Sequence, residues 1–495
     1  MGAELCSLEV GPLTLQPAFS PTVEDYYVRC AAGENPLTVA ATPASGASVS
    51  LMGPSTTAPA SELKTSVTVV PDQAVVVQAT LGAASTSYWV RCLPPDFPPL
   101  TMTQHDAGTP PPGFYLVGDT FVGPGDGGYG MLLDVRGTPV WYAKTRNNAG
   151  AKDVDMLAPN QFSFISIAAY SFGAYEGSFE VHTVDPVGVS YVNAVNVPID
   201  THELRRLSNG DYMFFTDPIV TGVDLTGVGM YGIEDILDCE LQEVSPTGAL
   251  VWQWRATDHF DARKETTFAI TQPASMSGGK TVNVVDVFHC NSIDWDDSGD
   301  LLLSARDMDA IFLISRATGK VLWKMGGTTY NKDGAPHMTL DNDPLHGFLR
   351  QHHARFQPDG TISVFDDQSL GPGAARALVM STDLAAGKAS IVWEYDGKNN
   401  TLGMGSVVIL PDGSRVIGWG ADTPDNPPAG ATPSPMRNPA FTEVDEQGHD
   451  LLDFTFGDDD STYRAIKIPA SEVDLPTLRA AVGAWSSETA DAGPH

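Results

Sequence analysis

Three histidines occupy equivalent places in a repeated pattern of the sequence. Each precedes the glycine of a polar turn, His202 by 8 residues, His289 by 10 and His352 by 8. Arg306 lies on a strand predicted to pair back toward His289. Neutral imidazole is a nucleophile near pH 7, and guanidinium binds oxyanions. Three histidines with an arginine therefore predict a cradle for an anionic group beside a nucleophile.

The elements that must position these side chains are short strands separated by turns. A small apolar run that ends in an aromatic residue recurs six times, at intervals of 50 to 71 residues. The six aromatic residues are Trp141, Tyr191, Trp252, Trp323, Trp393 and Phe454. Multi-stranded repeats of this length are typical of β-propeller blades. Six repeats predict a six-bladed propeller whose innermost strands would bring the three histidines to one channel mouth.

A metal centre is the first alternative, because imidazole also suits zinc, copper or iron. Arg306 argues against it, since a fixed cation beside a divalent metal is unfavourable. The acidic stretch Asp294–Asp300 resembles the start of a calcium loop, but its twelfth position is Ala305, where a bidentate Glu is needed. We interpret it as an Asp-rich turn and predict no metal ligands. Thr318–Trp323 resembles the docking repeat of quinoprotein dehydrogenases, which leaves a metal- or quinone-dependent propeller enzyme as an alternative.

Charge and hydropathy exclude several classes of function. The chain has 28 Lys and Arg against 61 Asp and Glu, a net charge of −33. Such a surface repels phosphate backbones and anionic membranes, so nucleic-acid binding is not expected. No apolar run reaches the roughly 18 residues of a membrane-spanning helix. The first residues lack a basic region followed by an apolar one, so we see no signal peptide.

Five cysteines give an odd count. Cys6, Cys30 and Cys92 fall in the first hundred residues, where one disulfide is plausible in an exported protein; Cys239 and Cys290 come later. Five buried thiols are an equally good interpretation. The pairing is left open, and no Cys/His spacing typical of a metal site occurs.

The first hundred residues have a different pattern. Short alternating strands over residues 5–92 predict a small β-sandwich, and Leu13–Pro21 followed by Tyr26–Val28 resembles the cadherin-like module of exported bacterial proteins. We expect packing or attachment from it, without chemistry. The prolines of Pro94–Pro99 predict a stiff linker. The predicted fold is thus all-β, with four regions: a β-sandwich at 1–95, a Pro-rich linker at 96–111, a six-bladed propeller at 112–485 and a flexible tail at 486–495.

Residues 200–420 resemble the bacterial arylsulfotransferase (arylsulfate sulfotransferase) family. The resemblance is most specific in Phe288–Arg306 and Gln351–Asp367, with support from Thr201–Gly210 and Leu410–Gly420. It implies an enzyme that moves a sulfuryl group from a phenolic sulfate ester to a phenolic acceptor by ping-pong kinetics, without a nucleotide sulfate donor or other cofactor. It also implies a periplasmic or extracellular location.

The resemblance assigns roles residue by residue. His352, after Gln351, matches the histidine that attacks sulfur and becomes transiently sulfated. His202, His289 and Arg306 match the residues that bind the sulfuryl group. Asn291 and His353 are the candidate substrate-binding residues, although strand alternation points His353 away from the side of His352. The remaining alternative is a non-catalytic propeller that binds a ligand or partner at the same channel. The oligomeric state is left open.

Overall fold

The computed structural model describes residues 3–120, 122, 126–167, 177–276, 280–421, 438–457 and 461–481. The described chain consists almost entirely of β-strands, which confirms the predicted all-β class. The predicted flexible tail, 486–495, lies outside the described residues. Within the described residues, no helix has the length and apolar character needed to cross a membrane.

Seven strands form two sheets at the N-terminus. Their bounds are β1 (Leu5–Gly11), β2 (Asp25–Arg29), β3 (Asn35–Pro43), β4 (Ser48–Gly53), β5 (Leu63–Val69), β6 (Ala74–Leu81) and β7 (Ala84–Leu93). One sheet has the order β1-β3-β5 and the other β2-β7-β6-β4. Buried and exposed residues alternate along β3, as expected for a strand with one face on a core. The apolar side chains of both sheets share one buried cluster, which includes Tyr26, Val39 and Val77.

The next strands begin the main region of the protein. They are β8 (Leu100–Gln104), β9 (Gly113–Gly118), β10 (Tyr129–Asp134), β11 (Pro139–Lys144), β12 (Gly150–Ala158), β13 (Gln161–Ile167), β14 (Phe179–Val184), β15 (Val187–Val192), β16 (Ile199–Arg206) and β17 (Tyr212–Thr216). Strand β8 lies inside the predicted linker of 96–111, so part of that segment is paired sheet rather than a free connection.

An additional sheet interrupts the regular series. It contains β18 (Ile219–Asp224), β19 (Ile233–Leu237), β22 (Ile270–Met276) and β23 (Lys280–Asp286), in the order β18-β19-β23-β22. Between its two halves the chain forms β20 (Glu240–Val244), β21 (Leu250–Arg255) and the short helices α1 (Ala256–His259) and α2 (Ala262–Glu265). Strands β20 and β21 complete a sheet with β16 and β17.

The remaining strands complete the main region. They are β24 (Cys290–Trp295), β25 (Leu301–Ala305), β26 (Ala310–Ile314), β27 (Val321–Gly326), β28 (His337–Leu340), β29 (His352–Phe356), β30 (Ile362–Asp366), β31 (Arg376–Asp383), β32 (Lys388–Asp396), β33 (Ser406–Ile409), β34 (Arg415–Gly418), β35 (Phe441–Val444), β36 (Asp450–Phe456) and β37 (Ala465–Pro469), followed by helix α3 (Leu475–Ala480). Strand β28 links β27 to β32 by short parallel pairings.

Four-stranded antiparallel series recur throughout this region. The described strands form the series β37-β9-β10-β11, β12 to β15, β16-β17-β20-β21, β24 to β27, β29 to β32 and β33 to β36. The six aromatic residues that revealed the repeat all lie on the fourth strands of these series, β11, β15, β21, β27, β32 and β36. The candidate histidines lie at the opposite side, on or directly before the first strands β16, β24 and β29.

The two ends of the region are joined by strand pairing. Strand β37 pairs with β9, and β8 pairs with β36, each in antiparallel register. A chain segment near the end therefore completes the first sheet, and a segment near the start extends the last one. Apolar side chains of these sheets pack in one cluster that includes Tyr115, Trp141, Phe441 and Phe454.

Candidate active site

The three predicted histidines lie together in the structure, and even the most exposed of their side chains, that of His289, is only 9% exposed. The ring centroids of His202 and His289 are 4.7 Å apart, and those of His202 and His352 are 6.5 Å apart. The Nε2 atoms of His202 and His289 are separated by 3.1 Å. Histidines that are distant in sequence therefore form one cluster, because equivalent first strands lie side by side.

His352 is held as a neutral ring with a defined tautomer. Its Nε2 lies 3.1 Å from the backbone N of Met404, and its Nδ1 lies 3.0 Å from the carbonyl oxygen of Arg350. A backbone N–H can only donate and a carbonyl can only accept, so Nδ1 bears the proton and Nε2 the lone pair. Nδ1 also lies 2.7 Å from Oδ2 of Asp367. Burial, reinforced by the charge of Arg306, lowers the pKa of His352 well below its usual value.

His202 and His289 differ in protonation because their surroundings differ. Nδ1 of His202 lies 2.8 Å from both carboxylate oxygens of Asp200, and Nδ1 of His289 lies 2.6 Å from Oδ2 of Asp286. Burial lowers the pKa of His202 to about 3. Burial also opposes the charge on His289, but the Asp286 carboxylate outweighs it and raises the pKa of His289. His289 is therefore the protonated partner, and its Nε2–H donates to Nε2 of His202.

Arg306 lies next to His352 across a glycine. It begins a short 3₁₀ turn after β25, and its guanidinium donates to Asp307 at 2.6 Å and to the carbonyl oxygen of Leu402 at 2.9 Å. A Cβ atom on Gly403 would lie 3.6 Å from Cε1 of His352 and 3.7 Å from Nε of Arg306. Glycine at this position therefore keeps open the space where the His352 ring meets the Arg306 guanidinium.

The two candidate substrate-binding residues have different positions. Asn291 is buried and its Nδ2 donates to the carbonyl oxygen of Gln351 at 2.8 Å, while its Oδ1 has no hydrogen-bond partner within the described residues. His353 accepts a hydrogen bond from the backbone N–H of Val407 at 3.3 Å. The ring of His353 is therefore hydrogen-bonded to β33 of the next sheet rather than to the histidine cluster. Asn291 is close to the site, whereas His353 lies behind it.

Tyr463 and Arg464 were missed by the sequence analysis. The ring of Tyr463 lies 5.9 Å from that of His202 and 6.4 Å from that of His352. Arg464 donates to Asp153 and to the carbonyl oxygen of Asn291, both at 2.6 Å. The two residues form a buried floor under the cluster. They directly precede β37, which is the first strand of the series β37-β9-β10-β11 but is not followed by a polar turn glycine as β16, β24 and β29 are, so the pattern that identified the histidines could not find them.

The aspartates that orient the histidines were also missed. Asp200 and Asp286 lie two and three residues before their histidines, so a search for a carboxylate close to each histidine would have found both. Asp286, His289 and Asp307 bring ligand-type atoms within 4.8 Å of one another. Two ion pairs explain the proximity of these three side chains better than a metal ion does. Asp286 pairs with Nδ1 of His289, and Asp307 pairs with the guanidinium of Arg306.

Comparisons with solved structures give distant likenesses. A protein of unknown function from Bacteroides caccae is 13% identical, with 72% of this chain and 99% of that chain covered and a TM-score of 0.42. A catalytically inactive variant of virginiamycin B lyase from Staphylococcus aureus is 9% identical, with 72% and 99% covered and a TM-score of 0.34. Glutaminyl cyclase from Myxococcus xanthus is 14% identical, with 53% and 88% covered and a TM-score of 0.25.

The family comparison is specific. No curated protein sequence matches the chain. The family described as "Arylsulfotransferase (ASST)" matches residues 176–423, which is half of the chain. The matched segment contains His202, His289, Arg306 and His352, the residues that the structure brings together. The chain belongs to the arylsulfotransferase family.

Proposed function

We propose that the protein moves a sulfuryl group from a phenolic sulfate ester to a phenolic acceptor through a sulfated His352. Family membership supports aryl sulfotransferase activity in general. The observation that carries the finer proposal is the tautomer of His352, whose Nε2 lone pair lies in a buried site beside Arg306. Neutral imidazole with a free lone pair is the form that can attack sulfur.

The proposed reaction has two displacements at one atom. Nε2 of His352 forms a bond to sulfur as the bond from sulfur to the phenolic oxygen breaks, and Met404 N–H gives up its hydrogen bond to Nε2. His289 supplies its Nε2 proton to the departing phenolate. The sulfated ring bears a positive charge, which Asp367 stabilises through Nδ1–H. In the second half a phenolic acceptor attacks the same sulfur, its proton returns to His289, and neutral His352 is restored.

The electrostatics of the site suit this chemistry. A transferred sulfuryl group bears negative charge on its oxygens, and fixed donors in a site that excludes water stabilise such charge strongly. Arg306 and protonated His289 are the cations beside His352. No step requires a cofactor, since imidazole is both the nucleophile and the leaving group. The substrates of this proposal are an aryl sulfate donor and a phenolic acceptor.

The finer architecture belongs to the same proposal. We infer a six-bladed propeller over residues 112–485, with β8 added to its last blade, preceded by a cadherin-like β-sandwich at 1–95. The six four-stranded series and the pairing of β37 with β9 support the propeller. Two sheets around one core support the sandwich. We also propose a periplasmic or extracellular location, supported by the disulfides Cys30–Cys92 and Cys239–Cys290, which form in oxidising compartments.

Release of 4-nitrophenol from 4-nitrophenyl sulfate, with and without added phenol, tests the proposed function. Release that depends on phenol, with parallel lines in a double-reciprocal plot, indicates ping-pong transfer. Release without an acceptor would indicate hydrolysis instead. Binding of aryl sulfates without any turnover would favour the non-catalytic alternative.

The pH dependence of kcat/KM should reflect the opposite pKa shifts of the histidines. His352 and His202 have lowered pKa values, so activity should not fall as the pH drops through 6.5, the ordinary pKa of histidine. His289 has a raised pKa and loses its proton above pH 6.5, where activity should decline. Asp286→Asn removes the charge that holds this proton, so it should move the decline to lower pH. Asp359→Asn, on an exposed turn, is the control. An acidic decline near pH 6.5 would contradict the assignment.

Removal of the disulfide Cys239–Cys290 should reduce both stability and activity. Cys290 begins β24 directly after His289, whose φ of +51° is a left-handed conformation that is costly for a residue other than glycine. We expect the double substitution Cys239→Ser/Cys290→Ser to lower the free energy of unfolding by about 2–4 kcal/mol. The activity of the folded fraction should also fall, because His289 is less firmly held.

The second disulfide supplies the matched control. Cys30–Cys92 spans 62 residues against 51 for Cys239–Cys290, and it lies among the N-terminal sheets. The substitution Cys30→Ser/Cys92→Ser should lower stability by a similar amount but leave the activity of the folded fraction unchanged. Denaturant unfolding and kcat per folded molecule distinguish the two effects. Equal activity losses in both double variants would show that the bond beside His289 has no positioning role.

A further inference from the structure

A second arginine lies near the site and contacts the same aromatic ring as Arg306. The guanidinium carbon of Arg306 is 5.4 Å from the ring centroid of Phe268, and that of Arg350 is 4.6 Å from the same centroid. Arg350 is also tied to the nucleophile, because its carbonyl oxygen accepts the Nδ1–H of His352. Both cations therefore contact one half-buried ring.

Arg350 has donors that the protein does not use. Its Nε is buried without a hydrogen-bond partner within the described residues. Its nearest carboxylate oxygen, Oδ1 of Asp309, is 3.9 Å from Nη1 and already accepts the backbone N–H of Arg350. By contrast, Arg376 and Arg464 each make close hydrogen bonds to two or more carboxylates. A poorly paired guanidinium retains N–H donors with which an external anion can pair.

Exposed apolar side chains lie on segments next to Arg306. The carbonyl oxygen of Leu402 accepts hydrogen bonds from Arg306 and from the hydroxyl of Ser369, so these segments lie together. Leu402 is 53% exposed, and Leu370, next to Ser369, is 60% exposed. Large apolar side chains with this exposure beside a buried polar site are suited to an aromatic ring. Phe268 contacts both guanidinium groups, and Leu370 and Leu402 expose apolar side chains on segments next to Arg306; these three residues are called the apolar rim below.

We propose that Arg350 and this rim select aryl substrates that bear a second anionic group, such as a carboxylate or a second sulfate ester. Arg306 and the histidines would hold the transferred sulfuryl group, the rim would contact the aromatic ring, and Arg350 would bind the second anion. This inference rests on the proposed function and names its substrate class. A charged hydrogen bond of this kind contributes about 1.5–3 kcal/mol, so the expected preference is roughly 10- to 100-fold.

A pair of isosteric donors tests the proposal. The substituents of 4-carboxyphenyl sulfate and 4-carbamoylphenyl sulfate have the same shape, and only the carboxylate is charged. The corresponding 3-substituted pair places the same two substituents at the neighbouring ring position. For the wild-type protein, kcat/KM should be at least about tenfold higher for the carboxyphenyl sulfate than for the carbamoylphenyl sulfate in the 4-substituted or the 3-substituted pair. Arg350→Met should remove that preference, so that kcat/KM becomes about equal for the two donors of the pair. Arg350→Lys should retain most of the preference, since it keeps the charge.

Controls separate this role from folding and from the proposed function. Arg263→Met removes an exposed arginine paired with Asp224 and should leave the preference intact. An equal loss on both donors in Arg350→Met would show a structural role, and a wild-type protein without preference in either pair would overturn the proposal. Calorimetric binding of 4-hydroxybenzoate and 4-hydroxybenzamide needs no turnover. A binding preference that Arg350→Met removes, in a protein inactive on every sulfate, would refute the proposed function and leave the anion site standing.

Discussion

Replacement of His352 with Asn is expected to abolish sulfuryl transfer, lowering kcat/KM by at least about 10⁴-fold. An amide lacks the basic lone pair that Nε2 presents, so no covalent intermediate can form. The hydrogen-bond donors of Arg306 and His289 remain, and they still favour binding of the sulfate ester. Binding of 4-nitrophenyl sulfate should therefore persist while its turnover disappears. Mass spectrometry of the wild-type protein, quenched early in the reaction without acceptor, should find one added sulfuryl group on the peptide that contains His352.

Two further histidines make this test specific. His353→Asn changes the adjacent residue, whose ring accepts a hydrogen bond from Val407, and this variant should still become sulfated. His449→Asn changes an exposed histidine on a distant turn and should behave as the wild type. Normal turnover in His352→Asn, or a sulfated peptide in that variant, would show that another group is the nucleophile.

Asp367→Asn is expected to have the second-largest effect, a loss of about 10²- to 10⁴-fold in kcat with little change in KM. The Asp367 carboxylate accepts Nδ1–H of His352 and thereby keeps the lone pair on Nε2. An amide can present N–H to Nδ1 instead, which favours the tautomer with its proton on the attacking atom. The carbonyl oxygen of Arg350 still opposes that tautomer, so the loss should be smaller than for His352→Asn.

Stability distinguishes this role from a structural one. Burial raises the pKa of Asp367 well above its usual value, which means that the folded protein holds the charged carboxylate at a cost. Removal of the charge should leave the melting temperature unchanged or higher while activity falls. Asp359→Asn, on an exposed turn, should change neither property. A variant that loses stability but keeps its kcat would show that Asp367 supports packing rather than the tautomer of His352.

The positions of the histidines followed from the sequence because the repeat has a geometric meaning. Equivalent positions on successive first strands lie at the same end of neighbouring sheets. His202, His289 and His352 could therefore be grouped from their distances to the turn glycines. Arg306 was predicted on the strand paired back toward His289, and in the structure it directly follows that strand. The protonation states could not be predicted in this way. They depend on Met404 N–H, Asp286 and burial, which arise only when separate segments pack together.

Other features had no repeat to reveal them. The sheet of β18, β19, β22 and β23 is an insertion, so the spacing of aromatic residues showed only a longer interval. The pairing of Cys239 with Cys290 depends on the approach of β20 and β24 in space. Strand β8 lies in a proline-rich stretch that the sequence pattern predicts to be a linker. It forms a strand because it pairs with the edge of β36, a contact that the local sequence does not reveal.

The position of Arg464 near the end of the sequence has a consequence for the order in which the site is assembled during synthesis. Arg464 donates to Asp153, Glu203 and Asn291, which belong to three earlier sheets, and it immediately precedes β37, the strand that pairs with β9. A nascent polypeptide therefore contains His202, His289, Arg306 and His352 before it contains Arg464 and β37. We expect the histidine cluster to lack its buried contacts with Tyr463 and Arg464 until this last segment has been synthesised and β37 has paired with β9.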